Sequence, residues 1–214
     1  MKHFLANIDN PTVLDVGANE GQSVELIRNT FPTAIIHSFE PSPATFGMLC
    51  KNCSGLKGVS PWNVAVGAGN EPMKLLENVE SGMTSFLELG SLGWGAVKKA
   101  TTVEMVTLDA FTEKNGIAKI HILKCDTQGF EVEVLNGAKR LMNEGRIALI
   151  YLEIIFSDMY KGIAPFDELY KLLRENGFLL VGFYSPHFQK NLLSWTDALF
   201  INAKFLEQAP QRVG

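Results

Sequence analysis

Residues 12–21 constrain the fold more than any other stretch of the 214-residue chain. Thr12-Val-Leu-Asp-Val16 is a short β-branched apolar run, the mark of a buried strand. It runs into Gly17-Ala-Asn-Glu-Gly21 and then into Gln22–Thr30, where Val24, Ile27 and then Phe31 fall at helical spacing. Strand, glycine loop and helix open a βαβ unit. Such units cross over right-handed and build a parallel sheet.

The same alternation continues. Ala34–Phe39 reads as a second strand closed by Glu40-Pro41, and Pro43 opens a helix through Met48, Leu49 and Cys50. Asn63–Val66 reads as a third strand. Further on, Ile120–Cys125 is a strand ending at Asp126, Phe130–Asn143 a helix with Val132, Leu135 and Ala138 inward, and Arg146–Ile154 the fifth parallel strand. A helix over Phe166–Asn176 ends at Gly177, a C′ glycine. Phe178–Tyr184 and Ala198–Ile201 close the sheet as an antiparallel hairpin.

The middle breaks this rhythm. Met73–Val79 and Val103–Leu108 read as strands flanking a Gly/Ser-rich stretch from Ser81 to Gly95, an inserted hairpin spanning about 72–108. The stretch carries Met83, Phe86, Leu89, Leu92 and Trp94, so a lid, a partner surface and a loop packed on its own domain all stay open. No repeat or linker divides the chain, and the expectation is a single domain over 1–214. Hydrophobic residues make up 46% and charged residues 20%, which excludes long disordered tracts.

A net charge of −4 with no dense Lys/Arg run speaks against a nucleic-acid face. No apolar run reaches membrane-span length and no signal sequence precedes Thr12, so the expectation is a soluble cytoplasmic protein without a membrane partner. Cys50, Cys53 and Cys125 lack a second metal-ligand pair at zinc spacing and read as reduced structural thiols. Oligomeric state is not legible, and a homodimer is left open.

The chemistry lies in three segments. In Asp15-Val-Gly17-Ala-Asn19-Glu-Gly21 the glycine spacing is not the dinucleotide G-x-G-x-x-G. An acid two residues before Gly17 repels a pyrophosphate and favours a cationic ligand, unless Asp15 serves only to hold the loop. Glu40, at the end of the second strand, is placed to accept two ribose hydroxyls. Asp126, in Lys124-Cys-Asp126-Thr-Gln-Gly129-Phe-Glu131, ends a strand beside the expected ligand crevice. Gly129 serves the tight turn, and Glu131 suits a helix's first turn.

Together with Phe39-Glu-Pro-Ser-Pro43, Val106-Thr-Leu-Asp109 and Val134-Leu-Asn-Gly-Ala138, these segments resemble the FkbM-type methyltransferase family over roughly residues 12–155. The resemblance implies an α/β, Rossmann-like class I methyltransferase fold, a mostly parallel doubly wound sheet with an antiparallel C-terminal strand and the inserted hairpin. It implies S-adenosyl-L-methionine as cofactor and O-methylation of a sugar or natural-product hydroxyl, a small-molecule acceptor. Asp15, Gly17, Asn19 and Gly21 would cradle the methionine part, and Glu40 with Pro41 would hold the ribose. Asn63, Val64 and Ala65 would lie near adenine, and Asp126 would face the methionine amino group or the acceptor. One departure stands out: the family usually has Glu where this chain has Gln128.

Methyl transfer to an alcohol needs alignment and a group to take the hydroxyl proton. Asp126, Glu131, Glu153 and His187 are the candidate bases. Glu153 stands at the end of a strand and His187 in the loop between the last two strands, while His37 and His121 lie within strands. Asp126 and Glu153 could offer oxygens to Mg²⁺, but no full ligand set is visible, so no metal is expected. Gln128 and the apolar 81–95 loop keep one alternative open, an inactive adenosylmethionine-binding module. A NAD-dependent oxidoreductase fits the glycine spacing poorly. Methylation of nucleobase amino groups lacks its Asn/Asp-Pro-Pro-aromatic signature, since the chain reads Asp126-Thr-Gln-Gly.

Overall fold

The computed structural model describes residues 1–207. The first half holds β1 (Thr12–Val16), α1 (Gln22–Thr30), β2 (Ile35–Phe39), α2 (Pro43–Asn52), β3 (Val59–Trp62), β4 (Ala65–Val66), β5 (Met73–Asn78), β6 (Val97–Val103) and β7 (Met105–Val106). The second holds α3 (Leu108–Lys114), β8 (Ile120–Cys125), α4 (Glu131–Asn136), α5 (Lys139–Asn143), β9 (Ile147–Ile155), α6 (Phe166–Glu175), β10 (Phe178–Gln189), β11 (Leu192–Asn202) and α7 (Ala203–Leu206).

Seven strands form one sheet in the order β3-β2-β1-β8-β9-β11-β10. β1, β2, β3, β8 and β9 run parallel, and β11 pairs antiparallel with both β9 and β10. Side chains alternate between two cores. Leu14, Val16, Leu123 and Ile150 pack with Phe111 of α3, Leu135 of α4 and Leu169 of α6. Val13, Ile122 and Leu149 pack on the other face with Val24 of α1 and Leu49 of α2. After β1 the chain winds outward through β2 and β3, then returns to place β8 on the opposite side of β1. The crevice where strand order reverses therefore opens beyond the carboxyl ends of β1 and β8, where ligands of open α/β sheets bind. Among the described residues, no helix is long and apolar enough to cross a membrane.

Four expectations need correction. The third strand is Val59–Trp62, not Asn63–Val66. It contains Pro61 and pairs only with β2; a proline, which cannot donate to a ladder, is tolerated at such an edge. Ala65–Val66 leaves the sheet and pairs with β7. The strand read over Val103–Leu108 instead ends one strand at Val103, makes a second of two residues, and gives way to α3, whose cap is the Thr107 hydroxyl accepting from the Ala110 amide.

The helix read over Phe130–Asn143 is two helices. Gly137 lies against the Gly67 carbonyl so closely that a side chain at 137 would overlap its oxygen. The second piece starts there, with Asp109 accepting from the amides of Arg140 and Leu141 at 3.0 Å each. That is the physical role of the aspartate in Val106-Thr-Leu-Asp109. Finally, His187 is not in a loop. β10 extends to Gln189, and His187 pairs with Trp195 in the hairpin.

Candidate active site at the strand switch point

The loop after β1 is held by backbone. Gly17 and Ala18 donate to the Phe39 carbonyl at 3.1 and 3.0 Å, and Asp126 N donates to the Val16 carbonyl at 3.1 Å. Gly17 has φ +75, and a Cβ there would collide with the Asp126 carbonyl oxygen. Glycine is thus required because two loops touch, not only because a ligand approaches.

Glu40 sits beside this loop, 7% exposed. Its Oε2 accepts from the Asn19 amide at 3.0 Å and its Oε1 from the Ser42 amide at 2.8 Å. Burial pushes the carboxyl up to about 7, against the pull of those two amides. Each oxygen keeps a lone pair for a further donor. Glu40 and Pro41 line a pocket of about 650 Å³, its open mouth included, with Val64, Ala65 and Val66 on one wall. Ser81, Gly82, Thr84, Ser85 and Phe86 close it from above, and Gly17, Asn19, Asp126, Thr127 and Gln128 form the far end. The 81–95 segment is anchored by buried Met83, which packs with Ile155, Met159 and Tyr160, and it leaves Trp94 exposed beside Trp195. It is therefore packed on its own domain, and its first third roofs the pocket.

Asp15 is fully buried and does not line this pocket. Its Oδ2 accepts from Ser23 Oγ at 2.7 Å, and its Oδ1 lies 3.3 Å from Lys124 Nζ. Lys124 also donates to the Gly17 carbonyl at 2.8 Å and lies 3.7 Å from Asp126 Oδ2. Burial works against the Lys124 ammonium, but Asp15 and Asp126 outweigh it and raise its pKa. Gly21, at φ 101, precedes α1, and a Cβ there would meet Leu49 at 3.2 Å; Gly21 does not line the pocket. Asn63 donates to the carbonyls of Glu40 and Pro41 at 2.8 and 3.0 Å, so it clamps the turn that carries Glu40.

At the far end, Gln128 Nε2 donates to Asp126 Oδ1 at 2.8 Å and to Glu153 Oε2 at 2.9 Å. Burial, then the nearby Asp126, Glu131 and Asp197, hold the Glu153 carboxyl well above the usual carboxylate range. Glu131 is buried and caps its own loop, accepting from the Thr127 amide and hydroxyl at 2.7 and 2.9 Å; burial pushes it up to about 7. Asp197, opposite Glu153 in the β9–β11 register, accepts from Tyr151 Oη at 2.8 Å. His187 is exposed and stacks on Trp195, ring centroids 4.7 Å apart.

The roof residues lie in the Ser81–Gly95 stretch that the sequence left open as a lid, whereas no role for Tyr151, Tyr160 or Asp197 was read, and Lys124 left only the trace of a charge inside the apolar run Ile120–Cys125.

Geometry of this kind, a pocket that joins the Glu40 carboxylate to Asp126 at a strand switch point, defines a class. Solved structures agree on the fold. A fibrillarin from Methanococcus jannaschii superposes with TM-score 0.56 at 14% identity, over 91% of this chain and 67% of that one. Magnesium protoporphyrin IX methyltransferase from Synechocystis gives TM-score 0.52 at 11% identity, over 92% and 73%. The fold is that of the class I S-adenosylmethionine-dependent methyltransferases. Residues 15–180 match the methyltransferase FkbM domain, and the chain belongs to that family. The 2-O-methyltransferase NoeI of Sinorhizobium fredii is 25% identical over 77% of this chain and 71% of its own length. Methyltransferase sdnD of Sordaria araneosa is 28% identical over 81% and 76%. Hexuronic acid methyltransferase AglP of Haloferax volcanii is 26% identical over 78% of this chain and 63% of its own length.

The cofactor is S-adenosylmethionine, and the pocket fits it. Asn19 Oδ1 is buried at the pocket's far end without a hydrogen-bond partner among the described residues, an acceptor suited to an ammonium group. Glu40 lines the same pocket with carboxylate lone pairs suited to paired hydroxyl groups.

Proposed function

We propose that this protein methylates a hydroxyl oxygen on a sugar or a small natural-product-like acceptor. One observation carries the reading: a pocket lined by Glu40 and Asn19 also takes in Asp126 and Gln128, and the Gln128 amide donates both to Asp126 and to the Glu153 carboxylate behind it. The names of NoeI and AglP, a 2-O-methyltransferase and a hexuronic acid methyltransferase, support the acceptor class. The net charge of −4 and the acid cluster support a small acceptor over nucleic acid.

When bound, S-adenosylmethionine supplies a methyl group on a sulfonium, electrophilic enough for direct displacement. In this reading Glu40 accepts the ribose hydroxyls, Val64 and Ala65 flank the adenine, and Asn19 Oδ1 with Asp126 receives the α-ammonium. Lys124, pinned by Asp15, fixes the Gly17 carbonyl and so the shape of the loop. Glu153 takes the proton that the acceptor hydroxyl must lose as its oxygen bonds to carbon. Its raised pKa makes it a stronger base than an ordinary carboxylate, and puts the acid limb of the rate profile above the usual carboxylate range.

Calorimetric titration with S-adenosylmethionine, S-adenosylhomocysteine and NAD tests the donor side. Binding of the first two and not the third is expected. A panel of glycosides and hydroxylated metabolites, read by mass spectrometry for a transferred methyl, tests the acceptor side. Tight donor binding with no transfer to any panel member would instead favour an adenosylmethionine-binding module without catalysis.

A further inference from the structure

Gln128 joins the acceptor-end carboxylates to the roof. Its backbone has φ 57, a left-handed conformation that non-glycine residues seldom adopt. The turn thus holds strain at the position that aims this side chain. Besides its donation to Asp126 and Glu153, its Oε1 accepts from Tyr160 Oη at 2.8 Å, and its main-chain carbonyl accepts from Ser85 Oγ at 2.7 Å. A primary amide has two N–H hydrogens and a carbonyl oxygen, and all three are matched here. A carboxylate of the same shape would face two carboxylate oxygens at 2.8–2.9 Å with no hydrogen for either contact.

We propose that Gln128 is a positioning residue for methyl transfer, its amide holding Glu153 against Asp126 in the orientation from which Glu153 takes the acceptor's proton. The amide thereby fills a place where a carboxylate would require an extra proton or a divalent cation. The proposal rests on Glu153 as the base in the reading above. The charged and titratable groups facing Glu153 are the carboxylates of Asp126, Glu131 and Asp197, the Lys124 ammonium and the Tyr160 hydroxyl. Asp197 itself is held by Tyr151 and lies near His187. Gln128 is the neutral member that lets four carboxylates and one ammonium share this space.

Gln128→Glu keeps the shape and adds a charge. In the unliganded protein, the Glu153 carboxyl followed by carbon-13 NMR should titrate about one pH unit or more higher than in the wild type. Calorimetry should show Mn²⁺ binding about tenfold or more tighter than to the wild type. With an acceptor from the panel, the acid limb of kcat should move up with the NMR midpoint, and kcat should recover at high pH. Gln128→Met keeps volume and removes both donors; its kcat loss should not recover at any pH. An unchanged Glu153 titration with unchanged Mn²⁺ affinity in Gln128→Glu would overturn the proposal. If Gln128→Glu does not fold, the same NMR titration of Gln128→Met decides: a raised midpoint supports it and an unmoved one overturns it. Failure of the whole acceptor panel would sink the base assignment while leaving both readouts on the unliganded protein intact, so the two failures are distinguishable.

Discussion

Glu40 and Glu153 invite comparison. Both are glutamates near the carboxyl ends of parallel strands, and burial raises both. Their company differs in kind. Glu40 is met by two main-chain amides supplied within four residues of the β1 and β2 ends, and each oxygen keeps room for a ligand. Glu153 is met by a side-chain amide from another loop and is crowded by three more carboxylates. In the proposed reading, the donor half is therefore built from backbone and the acceptor half from side chains. A backbone-built half tolerates side-chain change around it; a side-chain-built half is sensitive to single charges.

The largest effect that would test this contrast comes from Gly17→Val. With φ +75 and the Asp126 carbonyl against it, the variant should lose about 3 kcal/mol or more of stability in a urea titration. A stable Gly17→Val protein would mean the two loops are not backbone-locked. Glu153→Gln follows. Loss of the base should lower kcat by about a hundredfold to ten-thousandfold with the S-adenosylmethionine affinity nearly unchanged, since the two halves act separately. An equal loss in donor affinity, measured by calorimetry, would erase the distinction. Glu40→Ala should do the reverse, weakening donor binding about a hundredfold through two lost charge-assisted hydrogen bonds.

A smaller effect is in pH. Glu40 and Glu131 both sit at about 7 in the folded protein, against 4.5 for an unburied glutamate. Between those values the folded state binds protons that the unfolded chain has released. Through these two groups the unliganded fold loses stability as pH rises from about 4.5 to 7. Thermal unfolding from pH 5 to pH 8 should show the slope, and Glu40→Gln should flatten part of it. The smallest change is expected from His187→Ala, which removes a stack on Trp195 worth about 1 kcal/mol. Its donor affinity and turnover should stay at wild-type level. A collapse of kcat in that variant would restore His187 as a base.

The same contrast explains what could be read from residues alone. The opening strand–loop–helix unit, its glycine loop and Glu40 are local in sequence: β1, its loop and α1 occupy 19 consecutive positions, and Glu40 follows its own strand directly. Periodicity and turn chemistry reach that far. The third strand escaped because Pro61 and Ser60 disguise an edge position. The break at Gly137 escaped because it depends on Gly67, 70 positions earlier. Tyr160 and Asp197 escaped for a similar reason: they reach Gln128 and Tyr151 across 32 and 46 positions, and no spacing rule links them. Gln128 itself was legible as a departure from the family pattern, and so were Asp126 and Glu153 as candidate bases, but not that its amide joins them or that Tyr160 donates to it.

The apposition of Gly17 and Asp126 has a wider consequence. The loop after β1 and the loop after β8 meet main chain to main chain, with no side chain between. The distance between these two loop ends is then set by peptide geometry, like the throw of a crank fixed in the casting, and side-chain exchange in the surrounding pocket leaves it unchanged.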